Sequence, residues 1–521
     1  MSEPRVLTRP LGASRLAADA IARRLPAAWM PRAPAGADDW RDHAKSVRGE
    51  FAQSDWHRRL APAFAAQGAA AERLARSANG RGIVVTTGQQ PGLFGGPMYT
   101  WSKALSALAF ADELERAGGV PVAPVFWAAT YDADFAEAAV TFVARDGDVE
   151  RLAMPDPAVP GRRLCDTPLG DVRPLAAALE RASGSAVDRA VLDLLRASYA
   201  PSETVGGAFV RLLRAVLEPL GIAVLDGSHP AVMTAGRPIL ERALTAASAV
   251  DAALRAREGE LRAAGYEPKV PHVKGLSLVF AVTEGVRRRI PIADAARAGA
   301  ASLEPNVLLR PIVERAILPT AAYLGGPGEL AYFAQVSAVA SALDAAAPVA
   351  LPRWAGMIIE PHVERILQRH ALSVDDLRDP HAADTRLARR QMPDAVEAAI
   401  AHYRASLDNA NRALGAAVDS EKSPLAPDAV LEGARRTIAH RLDRLERRLV
   451  AAVKHREREL MHDLAVARAS LFPLGRPQER LLNFVPMLAR HGAPLVAAMR
   501  RAAAEHAAAL VSATGPAVPS A

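Results

Sequence analysis

Apolar residues in the first eighty positions recur a turn apart among Arg, Asp and Gln, as at Leu60 and Phe64, and this spacing predicts helices. The texture changes at Gly82. Residues 82–87 (GIVVTT) form a short β-branched run bounded by turn residues, as a buried parallel strand would. The run leads through GQQPGLFGGP into YTWSKALSALAFADELERAGG, a helix-period segment that stops at Gly118-Gly119. Residues 120–128 (VPVAPVFWA) follow as a second apolar strand. Strand, helix and strand with short connections predict a parallel, doubly wound sheet, an α/β core of Rossmann type.

Later segments extend this pattern. Residues 221–226 (GIAVLD) read as a strand, 276–292 as a β-hairpin turning at Glu284-Gly285, and 348–353 (PVALPR) as another strand. From Arg310 onward, AAYLGGPGELAYFAQVSAVASAL repeats strand, glycine loop and helix. The Pro-rich, partly helical stretch 145–202 reads as an insertion, and 230–300 as a second one. From about His381 the chain is helical. Ile438, Leu442, Leu445 and Leu449 step by four, three and four, and after an interruption near Arg456 the steps recur at Leu460, Leu464, Ala467 and Leu471. This is a coiled-coil seam with one discontinuity. With an upstream helix over 385–417 and a breaker at 420–428, it predicts an antiparallel helical hairpin. The expected domains are 1–80 (helical), 81–380 (core with insertions), 381–473 (coiled-coil arm) and 474–521 (helical). A lone hairpin leaves apolar residues uncovered, each worth about 1.5–3 kcal/mol when buried, so a homodimer through the arm is expected.

With 521 residues, half of them hydrophobic, the chain has ample material for several cores. No stretch is apolar enough to span a membrane, and the N-terminus has no signal-peptide core. A single cysteine, Cys165, makes neither an internal disulfide nor a thiolate metal cage, so a soluble, cytoplasmic protein is expected. The net charge of +7 raises the question of nucleic acid. From Ala401 to Ala521 there are 18 Lys/Arg against 12 Asp/Glu, so almost the whole excess lies on helical sequence where Arg alternates with Glu. That is the composition of a solvated helix face, and the near-neutral remainder lacks a basic stripe. Nucleic acid is not an expected partner.

No Walker A, H-E-x-x-H, G-x-S-x-G or paired-cysteine motif is present, so metal-centre and serine-hydrolase chemistry have no support. What stands out is a duplicated pattern, Gly95-Gly96-Pro97 and Gly325-Gly326-Pro327, each between a strand and a helix. Such loops serve either as tight turns or as places where backbone N–H groups approach an anion. In a doubly wound sheet both would open into one cleft at the carboxyl ends of the strands. Gln89, Gln90, Tyr99 and Lys103 flank the first loop; Tyr323, Gly328, Glu329 and Tyr332 flank the second. Lys103 is either a long-reaching cation or a solvated helix lysine. Glu329 either holds a ligand ammonium or favours the helix dipole, an effect of about 0.3–1 kcal/mol. Trp127 leads to Asp132 and Asp134, which could bind sugar hydroxyls, an amine or Mg2+, or form turns and caps. Candidate catalytic residues are Asp132, Asp134 and Lys103. Candidate substrate contacts are Gln89, Gln90, Gly95, Gly96, Tyr99, Trp127, Tyr323, Gly325, Gly326, Gly328, Glu329 and Tyr332.

The segments TTGQQPGLFGGPMYTWSKALSALAFADEL and PVAPVFWAATYDADFAEA resemble the BshC family, the cysteine-adding enzymes of bacillithiol biosynthesis. The likeness continues through GYEPKV, NVLLRPIVERAILPTAAYLGGPGELAYFAQ, LPRWAGMIIEP and LFPLGRPQERLLNFVPMLARHG, in order over most of the chain. The resemblance implies a nucleotidyltransferase-like core with connecting-peptide insertions and a dimerising coiled coil. It also implies a ligase joining the carboxyl group of cysteine to the amine of glucosaminyl-malate, with ATP as co-substrate; Mg2+ could accompany the nucleotide, and no metal-ligand set is assigned from the sequence. Carried over, the first Gly-Gly-Pro loop and the Asp132/Asp134 region line the pocket, with the second loop opposite. One departure stands out. Family members show Glu-Asp-His-Asp-Phe where this chain has Tyr131-Asp132-Ala133-Asp134-Phe135, which removes a histidine suited to proton transfer. A ligase or transferase for another amino-sugar or thiol, and a non-catalytic synthetase-like binding protein, are the alternatives.

Overall fold

The computed structural model describes residues 3–156, 159–300, 302–420 and 427–512. The chain divides into two compact units. The first comprises 1–143, 150–361 and 478–521; the second comprises 144–149 and 362–477.

In the first unit five strands form one all-parallel sheet. Their spatial order is Val349–Pro352, Thr320–Gly325, Ile83–Gln89, Val122–Ala128, Ala223–Asp226. The three middle strands are almost wholly buried, which is why they read as continuous apolar runs instead of alternating ones. The strand order reverses between Ile83–Gln89 and Thr320–Gly325, and a doubly wound sheet opens its crevice at that switch point. Helix Tyr99–Gly118 ends with Gly119 in the left-handed conformation, as the glycine pair predicts. Its neighbours include the sheet and helices Gly36–Glu50 and Val485–Val511, so it is apolar nearly all round.

The 276–292 segment forms the expected hairpin, Leu276–Thr283 with Val286–Pro291, turning at Glu284 (φ 50°) and Gly285 (φ 77°). A strand the pattern did not announce, Ser302–Pro305, pairs with its other edge. Two further pairings also escaped the pattern. Strand Arg5–Thr8 pairs antiparallel with Gly356–Ile359, and Val140–Arg145 pairs with Asp148–Ala153.

The second unit is helical. The upstream helix expected over 385–417 is two helices, Pro380–Arg390 and Asp394–Asp419. Pro393, at the cap of the second, ends the first because the residue before a proline is steered out of the α region. Helices Asp428–Arg456 and Arg458–Leu471 break at Glu457 (ψ 59°), the anticipated discontinuity. Contacts from Arg404 to Asp443 and Glu446, and from Lys454 to Thr385, fix the antiparallel register. The seam is only partly covered within the chain. Leu442, Leu460, Leu464, Ala467 and Leu471 are buried, whereas Ile438 and Leu445 are 37% and 47% exposed. Around Leu449 the buried pair is Val450 and Val453, packed on Ala388 of the shorter helix and on Met392 just beyond its end.

Candidate active site

The carboxyl ends of Ile83–Gln89 and Thr320–Gly325 open into a cleft of about 690 Å3 within the first unit. That volume lies inside the range of about 300–1,000 Å3 typical of small-molecule sites. One side carries Gly88, Gln89, Gln90, Tyr99 and Lys103; another carries Gly326, Gly328, Glu329 and Tyr332. The antiparallel sheet contributes Phe280, Arg287 and Arg289, and Asp132 and Glu137 stand at a further edge.

Lys103 bolts the two sides together. Its ammonium donates to Gly88 O at 2.7 Å, Gln89 Oε1 at 2.8 Å and Glu329 Oε2 at 2.7 Å. Three donors meet three acceptors, so the pair satisfies itself. Lys103 is 4% exposed because its helix has no solvated face here, which excludes the reading of a solvated lysine. Its N–H groups are spent on protein acceptors, so it does not offer one to a bound anion. Glu329 is committed likewise. It accepts from Lys103, from Gly326 N at 2.7 Å and from the hydroxyl of Tyr323, in a capping box at the start of helix Pro327–Ala342. Burial opposes its ionisation, but Lys103 and these hydrogen bonds outweigh burial and hold the carboxyl below its ordinary value. A ligand ammonium would have to displace Lys103 to reach it.

The first Gly-Gly-Pro loop turns away from the cleft. Gly95 N donates to the Tyr199 hydroxyl at 3.0 Å, and Asn483 Nδ2 donates to Phe94 O at 3.0 Å and to Thr141 Oγ1 at 3.1 Å. Phe94, Gly95 and Gly96 take φ of 54°, 88° and 74°, and a Cβ on Gly95 would stand 2.8 Å from Trp101 Cζ2. The glycines are thus required by the turn and its close packing. Gly95 and Gly96 do not line the cleft; Gly88, Gln89 and Gln90 face the second loop in their place. Gly325 also lies outside the lining, packed beneath Glu329, whereas Gly326, Gly328, Tyr323, Tyr332 and Trp127 belong to it. Asp134 caps helix Phe135–Ala138 through Glu137 N and is not part of the lining. Asp132 does reach the cleft, with one oxygen accepting from Ala133 N and lying 3.6 Å from Arg287.

Several residues of the lining were not singled out from sequence. Three arginines are each held from behind by a buried carboxylate: Arg310 by Glu314 at 2.6 Å, Arg353 by a two-pronged pair with Glu479 at 2.6 and 2.8 Å, and Arg287 by Glu304 at 3.0 Å. Two-pronged guanidinium pairs fix direction as well as charge. Lys269, Arg289 and Arg480 also line the cleft and have no carboxylate partner among the described residues. In all, seven Lys and Arg line it against three Asp and Glu, so the space suits an anionic ligand such as a carboxylate or phosphate. Period two in VRRRIP would have placed Arg287 and Arg289 on one strand face, and Arg353 follows an apolar strand directly. Nothing local marks Arg480, which arrives from a segment far along the chain. No group of three or more His, Cys, Asp or Glu among the described residues is arranged to hold a metal ion.

Away from the cleft, His229 caps helix Pro230–Thr245 and His272 pairs with Asp251 at 2.6 Å. Burial pushes the Cys165 thiol up to about 11, so it is not a reactive thiolate at neutral pH.

Residues 53–297 and 291–354 match the family described as "Bacillithiol biosynthesis BshC, N-terminal Rossmann-like domain", and 356–509 match its "C-terminal coiled-coil domain". Proteins named "Putative cysteine ligase BshC" from Solibacter usitatus and Koribacter versatilis are each 32% identical to this chain. The first alignment covers 84% of this chain and 86% of the relative, the second 82% of each. One of the same name from Thermus thermophilus is 32% identical over 79% of this chain and 84% of its own length. With both domains matched in order and relatives aligned over most of their length, the chain belongs to the BshC family of bacillithiol biosynthesis.

Proposed function

We propose that this protein is a ligase that joins the carboxyl group of cysteine to the amine of glucosaminyl-malate, giving bacillithiol, with ATP activating the carboxylate. Amide formation from a free acid is uphill in water, and ATP supplies the leaving group. The observation that carries the reading is the cleft at the sheet's switch point, where three arginines are braced by buried carboxylates and a fourth, Arg289, by the carbonyl of Ser277, while Lys269 and Arg480 remain for ligand anions. Malate carboxylates and nucleotide phosphates are such anions. The braced guanidiniums would hold the two reactants together and stabilise a tetrahedral oxyanion. Exposed apolar residues of the arm, Tyr403, Leu414, Val430, Ile438 and Leu445, support self-association, and the absence of a helix long and apolar enough to cross a membrane among the described residues is compatible with a cytoplasmic setting. Incubation with glucosaminyl-malate, cysteine and Mg-ATP should yield bacillithiol by mass spectrometry; no product under any condition refutes the proposal.

Action on another amine or amino acid is the second reading, and Tyr131 favours it. The residue standing where the family has glutamate is buried beside Arg287, 5.3 Å from its guanidinium carbon, and presents no carboxylate to the cleft. ATP turnover with a different amino acid and none with cysteine would select this reading.

A further inference from the structure

We infer that Glu137 is the general base of the amide-forming step, a role that rests on the ligase reading above. Three carboxylates line the cleft; one is saturated and a second is turned toward its own loop and an arginine. Glu329 is saturated by Lys103, Tyr323 and Gly326. Asp132 uses one oxygen, Oδ1, to accept from Ala133 N and Asp134 N, and that oxygen lies 3.6 Å from Arg287, an arrangement that favours its charged form as a fixed partner of the guanidinium. Glu137 is the last residue before the buried end of a one-turn helix, and its only side-chain hydrogen bond among the described residues is a long one, 3.5 Å, from the Tyr99 hydroxyl. Its lone pairs are open to the cleft.

A directional chain ends on it. Lys103 donates to Gln89 Oε1, which turns the Gln89 amide so that Nε2 donates to the Tyr99 oxygen at 3.1 Å. The Tyr99 hydroxyl must then donate outward, to Glu137. The groups facing Glu137 are Asp132 and Asp134 from its own loop, Tyr99 and Lys103 from the long helix. Desolvation by its surroundings, then the charges of Asp134 and Asp132, push its carboxyl above the ordinary value, the direction that strengthens a base.

The step balances. The amine enters as its free base, its first proton having gone to water. Its lone pair forms the C–N bond to the carbonyl of activated cysteine (an acyl phosphate or acyl adenylate). Glu137 takes the remaining surplus N–H proton, and the acyl–oxygen bond breaks with its electron pair leaving on the phosphate. Glu137 then returns its proton to water.

The test compares wild type with Glu137→Gln on the full chain, with tryptophan fluorescence melting as the folding control. Hydroxylamine traps activated cysteine as its hydroxamate with little need of a base. The expected result is wild-type hydroxamate formation in Glu137→Gln, bacillithiol turnover lower by about a hundred- to ten-thousand-fold, and loss of the acidic limb of the kcat–pH profile. If wild type makes both products and Glu137→Gln keeps both the rate and the acidic limb, Glu137 is not the base, while the ligase reading stands. If wild type makes neither product, the ligase reading falls and takes this role with it.

Discussion

Replacing Lys103 by Met removes one partner of a buried pair and leaves the Glu329 carboxylate at a site where its side chain is 17% exposed. Breaking such a pair from one side costs about 3–5 kcal/mol, because the remaining charge stays desolvated. The loss has a computable pH dependence. In the wild type, Glu329 is held below its unfolded value, so its contribution is present above that value and fades as pH falls through the folded one. In Lys103→Met, burial is unopposed by the ammonium and the folded value rises above the unfolded one. The sign reverses, and the variant loses stability as pH climbs from 5 toward 7, by about 1.4 kcal/mol for each unit separating the two values. All six tryptophans lie in the first unit, so urea unfolding followed by tryptophan emission reports on that unit alone. The double variant Lys103→Met/Glu329→Gln should regain most of the loss, since an uncharged pair of similar size leaves no orphan charge. A single-variant loss below about 1 kcal/mol that is equal at pH 5 and 7 would refute the bolt between the two sides of the cleft.

Other outcomes follow from the same geometry. Glu479→Ala strands the Arg353 guanidinium, 2% exposed, and should lower stability by about 3–5 kcal/mol in the same unfolding assay. Gly95→Ala forces a Cβ into Trp101 at a left-handed φ and should cost about 1–3 kcal/mol, yet leave substrate KM unchanged, because the loop is outside the cleft. Asn483→Ala frees the carbonyl of Phe94 and the hydroxyl of Thr141 and should cost about 1–3 kcal/mol by thermal unfolding. Leu445→Glu with Ile438→Glu should give a monomer by sedimentation if the arm self-associates; an unchanged mass would place the contact elsewhere.

Where a signal was local, reading it from the chain worked. The β-branched run at Ile83, the glycine pair after Arg116 and the Glu284-Gly285 turn each encode backbone conformation within a few residues. Strand Arg5–Thr8 was opaque because its partner lies some 350 positions away and a four-residue edge strand carries no period. The two Gly-Gly-Pro loops look alike in sequence, yet only the second opens on the cleft. The first is occupied by Tyr199 and Asn483, contacts that no local pattern encodes.

The linear chain therefore specified which segments become strands and helices, that the sheet is parallel, and roughly where its crevice opens, because these depend on periodicity and on short-range turn chemistry. Which side chains face that crevice, and which are spent holding it together, was settled by packing. Lys103 is a bolt because three acceptors, two from the end of strand Ile83–Gln89 and one from the first turn of helix Pro327–Ala342, converge on it, and Glu137 is open because, among the described residues, no side-chain donor but Tyr99 reaches it. Burial and hydrogen-bond saturation are properties of all the neighbours at once, and most of those neighbours arrive from distant parts of the sequence.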